Sequence, residues 1–192
     1  MTHPPLPWRL QGTLITGLLP AAPTTPLPHG LTDITPRHTL LYLAHYTNGD
    51  ILYSGLTLLR LVRKGRHIGT FSEECWFDHP AAQHVVAEQW GMSTSLMTCQ
   101  WGKSSACMTS ETGEQCEINF DNKVSGRLRV PVKFPLYGDV DDKLIRLAIG
   151  VSFKPTRTHL TLTAWPASFP PLRHTSTHFG ILDTRMKITA PV

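Results

Sequence analysis

The segments LLYLAHYT (40–47) and ILYSGLTLLRLV (51–62) stand on either side of Asn48-Gly49-Asp50. Asn-Gly readily takes the positive φ values of a tight turn, so the two segments are expected to pair as an antiparallel hairpin. The second segment runs on to another turn at Lys64-Gly65, after which RHIGTFSEECWF (66–77) reads as a third strand. Such a run of local strand pairing commits the chain to a β architecture.

The rest of the chain keeps that character. STSLMTCQWG, EQCEINF, GRLRVPVKFP, HLTLTAW and MKITAPV are short strand-like segments separated by Gly, Pro, Asp or Asn. LIRLAIGVSF joins them, although LIRLAIG also fits a helix. Trp8–Leu19 reads as an extended strand, followed by irregular, proline-rich chain. The best helix candidate is PAAQHVVAEQW (80–90), with Asp78 as N-cap and Pro80 in the first turn. The 16 prolines and 14 glycines are spread through the sequence, as in a chain of many turns. Evenly spaced short strands with one principal helix predict a mainly β fold, an antiparallel barrel or cone. With 192 residues, 41% of them hydrophobic, and no repeat or linker, residues 1–192 are expected to form a single domain.

Composition narrows the function classes. The net charge is +4, and the densest basic group, Arg60, Arg63, Lys64 and Arg66, falls near a hairpin tip without interleaved aromatics. It reads as a solvated tip, and no nucleic-acid partner is expected. The longest apolar run is far short of the ~20 residues of a membrane helix. MTHPPLPWRL lacks the basic flank and apolar stretch of a secretory signal, so a cytoplasmic location is expected. Cys75, Cys99, Cys107 and Cys116 have no CxxC spacing, and there is no HExxH motif. His79 and His84 stand at i, i+5, a poor ligand spacing. Neither a metal nor a cofactor is expected. A Ser-His-Asp set has no Gly-x-Ser-x-Gly elbow to support it.

The stretch WFDHPAAQHVVAEQWGMSTSL, Trp76 to Leu96, resembles the signature of the acetoacetate decarboxylase-like superfamily. That signature runs from an aromatic-Val-Asp strand end, through a helix ending Gly-Arg-Glu-x-Trp-Gly, to a Pro-Lys-x-Leu strand start. Asp78, Glu88, Trp90, Gly91 and Leu96 match it. PLPWRLQG and PHGL are similar to the family's opening, HTLLYLAHYTNGDILYSGL to its hairpin, and THFGILDTRMKITAP to its final strands. The resemblance implies a small β-cone or barrel around an apolar pocket, often in homo-oligomers.

The departures fall on the chemistry. The family's lysine forms a Schiff base with a β-keto acid, and its place is taken by Thr94, 16 residues after Asp78. A hydroxyl cannot form the iminium that serves as electron sink. The neighbouring lysine falls at Ser95, the acid of Tyr-x-Glu-Leu at Gly55, a second carboxylate at Leu40 or a close neighbour, and the arginine of Gly-Arg-Glu at Ala87. Each charged pocket group that can be placed is neutral here.

Strand alternation extends the pocket, since residues two apart share a face. Tyr42, Ala44 and Tyr46 go with Leu40, and Tyr53 and Thr57 with Gly55. Leu96, Thr98 and Gln100 go with Thr94. By analogy Trp76 faces inward and brings Glu74 and Ser72. Ser93, Thr94 and Ser95 supply hydroxyls at the floor, or form a plain helix-to-strand turn. Gly55 is expected to enlarge the cavity. The tyrosines read equally as core aromatics, Trp76 and Trp90 as packing, and Glu88 as a structural partner within the helix. The orientation of Glu74 stays open.

Three functions fit. The first is a cofactor-free biosynthetic enzyme, a cyclase, isomerase or pericyclase, acting on a hydrophobic polyketide-, terpenoid- or acyl-type intermediate. Glu74, Tyr53 and Thr94 would be its catalytic groups, and Leu40, Tyr42, Gly55, Thr57, Trp76, Ser93, Ser95, Leu96 and Gln100 its binding surface. The second is a non-catalytic protein that binds a lipophilic small molecule. The third is a decarboxylase or hydro-lyase with another base, for which the first lysine beyond the matched strand is Lys103.

Overall fold

A computed structural model describes residues 6–121, 128–156, 159–172, 176–177 and 180–188. The start of the proline-rich opening and the last four residues of the closing MKITAPV lie outside the described residues. The chain begins with β1 (Trp8–Leu19), passes a loop holding β2 (Thr32–Asp33), and enters the meander β3 (Thr39–Gly49), β4 (Tyr53–Lys64) and β5 (His67–Phe77). The second turn of this meander falls at Lys64-Gly65 as the sequence places it, whereas the first is displaced to residues 50–52, because Asn48 and Gly49 remain in β3 and pair with Gln11 and Leu10 of β1. Helix α1 (Pro80–Trp90) matches the expected span. After it come β6 (Thr94–Trp101), β7 (Ser105–Ser110) and β8 (Gln115–Phe120), then β9 (Val130–Val140), β10 (Lys143–Thr156), β11 (Leu160–Ala164), β12 (Ser176–Thr177) and β13 (Gly180–Ile188). LIRLAIG is strand, within β10. The sequence reading did not anticipate β7.

The fold is mainly β with a single helix among the described residues. Seven strands pair in a ring, β4–β5–β9–β10–β13–β1–β3 and back to β4. The expectation of a purely antiparallel sheet needs correction. Cys75–Phe77 run parallel to Thr94–Leu96, and Thr70–Phe71 run parallel to Leu136–Tyr137. The first of these has a simple cause: α1 carries the chain back along β5 before β6 begins, as a helical crossover does. Strand β5 therefore forks, holding β9 with its first half and β6 with its second. From β6 a second branch, β6–β7–β8–β11–β12, leaves the ring.

Helix α1 packs against β5, β6 and β9, filling the fork. Its N-cap is His79, whose Nδ1 accepts from the Ala81 N–H at 3.2 Å, rather than Asp78. Asp78 instead accepts the Ser54 N–H at 2.6 Å and so ties the helix start to β4. Gly91 ends the helix at φ 59°, ψ 40°. A Cβ at Gly91 would strike the Asp139 carbonyl, and one at Gly138 the Trp90 carbonyl. Glycine at both positions lets the helix end lie directly on β9.

Two cores result. The ring interior holds Leu10, Ala44, Tyr46, Phe77, Leu147 and Ile188 from the strands, with Val85, Val86 and Trp90 from α1. The opposite faces of β1, β3 and β4 present Ile15, Leu41, Leu43 and Leu56 to Met108, Ile118 and Leu162 of the second branch. Each such fully buried aliphatic side chain contributes roughly 1.5–3 kcal/mol. Between Leu58 and Leu59 the β4–β5 register shifts: Leu58 faces Glu74 and Leu59 faces Ser72, leaving Glu73 as the extra residue of a bulge.

Candidate functional site

The ring encloses a cavity of about 70 Å³ against α1. Strand β3 contributes Tyr42 and Tyr46, β4 contributes Tyr53 and Thr57, and β5 contributes Thr70 and Cys75. Trp90 of α1 and Met186 of β13 line it as well. The Tyr42 and Tyr46 hydroxyls lie 2.7 Å apart, and both reach Met186 Sδ, at 3.7 and 3.4 Å. The Tyr53 ring meets the Tyr46 ring edge-on, with centroids 5.1 Å apart. Burial pushes all three phenols well above their ordinary range, and neighbouring phenols add to it in Tyr46 and Tyr53. Burial likewise pushes the Cys75 thiol up to about 12, against hydrogen bonds from Ser72 and Thr57 that pull it down. The hydroxyl and thiol groups on this wall are therefore neutral at neutral pH.

Two buried groups on the same wall have no hydrogen-bond partner among the described residues: Trp90 Nε1 and Thr70 Oγ1. The two residues are 4% and 5% exposed. An unsatisfied buried hydrogen-bonding group costs about 1–3 kcal/mol, and both of these residues line the cavity. The space suits water or the carbonyl end of a small molecule, and is far below the ~300 Å³ of a pocket enclosing a drug-sized ligand.

The structure splits the residues expected to share one pocket. Tyr42, Tyr53 and Thr57 line the cavity. Leu40 packs on the same core, and Gly55 lies in the same wall, where its missing side chain does not enlarge the space. A Cβ there would meet Phe77 Cε1 and Tyr53 Cε2 at 3.2 Å, so those rings already fill it. Because Cys75 and Phe77 face the ring interior, Glu74 and Trp76 face the other way. Trp76 is buried in the second core with its ring 4.7 Å from that of Phe169.

Glu74, Thr94, Ser95 and Leu96 line a separate groove of about 390 Å³, together with Glu111 and Glu114. There Ser93 Oγ donates to Glu74 Oε2 at 2.7 Å and Ser95 Oγ to Oε1 at 3.4 Å. Burial raises the Glu74 carboxyl above its ordinary range, the two serines oppose this, and the Glu114 charge adds to it. Thr94 Oγ1 accepts from Gln83 Nε2 at 2.8 Å, which fastens it to α1. Gln100 is exposed on β6, beyond both spaces. Ser72 leaves the face of Glu74 and approaches Cys75, with Oγ and Sγ 2.9 Å apart, because the bulge at Glu73 shifts the alternation.

Sequence reasoning missed Thr70 and treated Trp90 only as packing. Trp90 stands in the quoted Glu-x-Trp-Gly motif, which was the available signal. Thr70 reaches the cavity face only through the bulge, which no residue pattern announces. Among the described residues no three potential metal ligands converge. His174 and His178, four residues apart and absent from the metal expectation, are outside the described residues.

No protein-family model and no curated protein matches the sequence. Solved structures do match. An acetoacetate decarboxylase from Legionella pneumophila superposes with a TM-score of 0.72 at 13% identity, over 100% of this chain and 88% of the other. The enduracididine biosynthesis enzyme MppR, with HEPES bound, gives 0.69 at 12% identity, over 100% and 88%. An acetoacetate decarboxylase-like enzyme from Sphingomonas wittichii gives 0.55 at 9% identity, over 97% and 92%.

The chain has the acetoacetate decarboxylase-like fold. MppR itself has been captured with pyruvate and with the condensation product of pyruvate and imidazole 4-carboxaldehyde. Within this fold, the position that the resemblance assigns to the Schiff-base lysine carries a threonine bonded to α1. The ring interior that remains is neutral and rich in hydroxyls. No helix among the described residues is long and apolar enough to cross a membrane.

Proposed function

We propose that this protein is a cofactor-independent biosynthetic enzyme of the cyclase, isomerase or pericyclase type. It acts on a hydrophobic polyketide-, terpenoid- or acyl-type intermediate, and only the carbonyl-bearing end of that substrate enters the ring. The observation that carries this reading is the pair of unpartnered donors, Trp90 Nε1 and Thr70 Oγ1, beside the cavity. Donors fixed in a dry site stabilise negative charge developing on a carbonyl oxygen, and removing one such donor typically costs about 10²–10³ in rate. Positioning supplies the remainder, since a held near-attack geometry needs no charged group. Tyr42 and Tyr46 act as neutral hydroxyls, because their high pKa values rule out a phenolate base at neutral pH. Glu74 is in the other groove, so the catalytic role expected of it does not belong to this cavity.

Acetone is a suitable probe of the carbonyl site. Titrated into the protein, it is expected to shift one indole N–H proton resonance, and that resonance is expected to vanish in Trp90→Phe. Absence of any indole shift would remove the basis of the reading. The neutral lining equally supports a second reading, a carrier of a lipophilic carbonyl compound. Product analysis separates the two, because a carrier returns its ligand unchanged. A lysine-independent decarboxylase or hydro-lyase is least supported: no carboxylate or lysine lines the cavity, and Lys103 lies in the exposed β6–β7 turn.

A further inference from the structure

Strand β4 places Arg60 beside Asp33 of β2 and Glu73 of the β5 bulge, and none of the three lines the tyrosine cavity or the Glu74 groove. Arg60 Nε and Nη2 lie 3.1 and 3.0 Å from Asp33 Oδ2, and Nη1 donates to the Thr25 carbonyl at 2.5 Å. Glu73 comes second to this guanidinium. Its Oε1 lies 3.6 Å from Arg60 Nε, and neither carboxyl oxygen has a hydrogen-bond partner among the described residues. Yet the Glu73 side chain is only 3% exposed. One cation thus faces two carboxylates in a buried site, where an ionised carboxylate without hydrogen bonds is costly. Burial raises the Glu73 carboxyl above its ordinary range. Arg60 and the nearby Thr25 and Thr24 backbone, which falls short of hydrogen-bond geometry, oppose this, and the Asp33 charge adds to it. The other elements packed on β5, namely β6, β9 and α1, contribute none of the charges that act on Glu73. A structural ion pair needs one carboxylate, so a structural role leaves the second, unpaired one unexplained.

Thr25 and Asp33 belong to the proline-rich segment 20–38 between β1 and β3, which lies as a strap on the face of β4 turned away from the ring. Its Leu27 and Leu31 pack on Val62, Phe71 and Tyr137. Asp33 pairs with Val62, and the Ile34 N–H donates to the Leu61 carbonyl at 2.9 Å. Arg60 therefore holds the strap at two points. We propose that Glu73 is a proton-operated latch for this strap. Protonated, it leaves the guanidinium to Asp33 and Thr25, and the strap is closed. Ionised, it draws the guanidinium away from Asp33, and the strap loosens over Val62, Phe71 and Tyr137. The sign follows from linkage: the closed strap is favoured at low pH and weakened as pH rises through the raised Glu73 pKa.

The test is native-state amide hydrogen exchange of the full chain at about pH 5 and pH 8, expressed as protection factors so that the intrinsic pH dependence of exchange is removed. The reporters are the Leu31 and Ile34 N–H groups, which are bonded to the Pro28 and Leu61 carbonyls. Both are expected to lose at least tenfold in protection at the higher pH, while Leu41 and Leu43 of β3 keep theirs. Glu73→Gln cannot ionise and is expected to hold the strap equally closed at both pH values. Asp33→Asn leaves Arg60 to Glu73 alone, so protection is expected to be lower throughout and to lose its pH dependence. Histidines titrate in the same window, and the strap carries His29 and His38. A loss of protection that persists in Glu73→Gln would belong to them and overturn the proposal. Equal protection of Leu31 and Ile34 at both pH values in the parent, or the parent's full pH dependence in Asp33→Asn, would overturn it as well.

Discussion

The Tyr46 hydroxyl lies 3.4 Å from Met186 Sδ, which joins the inner strand of the hairpin to the last strand of the ring. Tyr42 converges on the same sulfur, so a thioether is the acceptor at the end of a two-hydroxyl chain. Met186→Leu nearly conserves volume but leaves one hydroxyl proton without an acceptor. The expected loss is about 1–3 kcal/mol in denaturant unfolding. A variant as stable as the parent would show that the tyrosine pair does not depend on the sulfur.

Gly55→Leu is expected to destabilise the fold, contrary to the sequence reading of an empty position. Its Cβ would sit 3.2 Å from both the Phe77 and Tyr53 rings, and overpacking of this kind costs about 1–3 kcal/mol. A lowered melting temperature in Gly55→Leu checks this, and an unchanged one would mean that the two rings move aside freely.

Glu74 gives a pH dependence with a definite sign. Its folded-state pKa is raised above 4.5, chiefly by burial. The folded chain thus holds the proton more tightly than the unfolded chain. The stabilisation is complete below the unfolded pKa and is lost as pH rises through the folded one. Glu74→Gln keeps an acceptor for Ser93 and cannot ionise. Its stability relative to the parent is expected to improve as pH is raised from about 4 into the neutral range. A stability difference independent of pH over that range would show that Glu74 titrates normally.

Much of the frame was legible because its signals are local. Lys64-Gly65 marked one turn of the meander, Asn48-Gly49-Asp50 marked the other to within a few residues, and Pro80 with Gly91 bounded α1. The ring interior was readable along β3 and β4, where Tyr42, Tyr46, Tyr53 and Thr57 alternate without interruption. It failed along β5 for two reasons: Trp76, the residue that anchored the alternation, does not face inward, and one extra residue at Glu73 exchanges the faces of everything before it. Analogy then placed Trp76 on the wrong side, and Glu74 with it. The unsatisfied Trp90 indole is a property of three-dimensional packing, since nothing in the sequence says which buried donor lacks a partner.

Thr94→Lys is expected not to restore Schiff-base decarboxylation. The substituted amine would sit beside Ser95, where the resemblance calls for a second lysine that lowers its partner's pKa by charge repulsion. Without that neighbour the lysine keeps a pKa near 10.4, and only roughly 0.04% of it is the free amine at pH 7. Nearby Glu74 would hold the ammonium charged more firmly still, being hydrogen-bonded to Ser93 and Ser95 on the adjoining strand. The acids that the resemblance places at Gly55 and Leu40 are missing as well. Incubation with acetoacetate and borohydride, followed by intact-mass analysis, should give no adduct in either the parent or Thr94→Lys. An adduct on Lys103 of the parent would show that a replacement amine exists. An adduct confined to Thr94→Lys would show that one lysine suffices to recover iminium chemistry in the Glu74 groove, without the second lysine or the acids that the resemblance calls for.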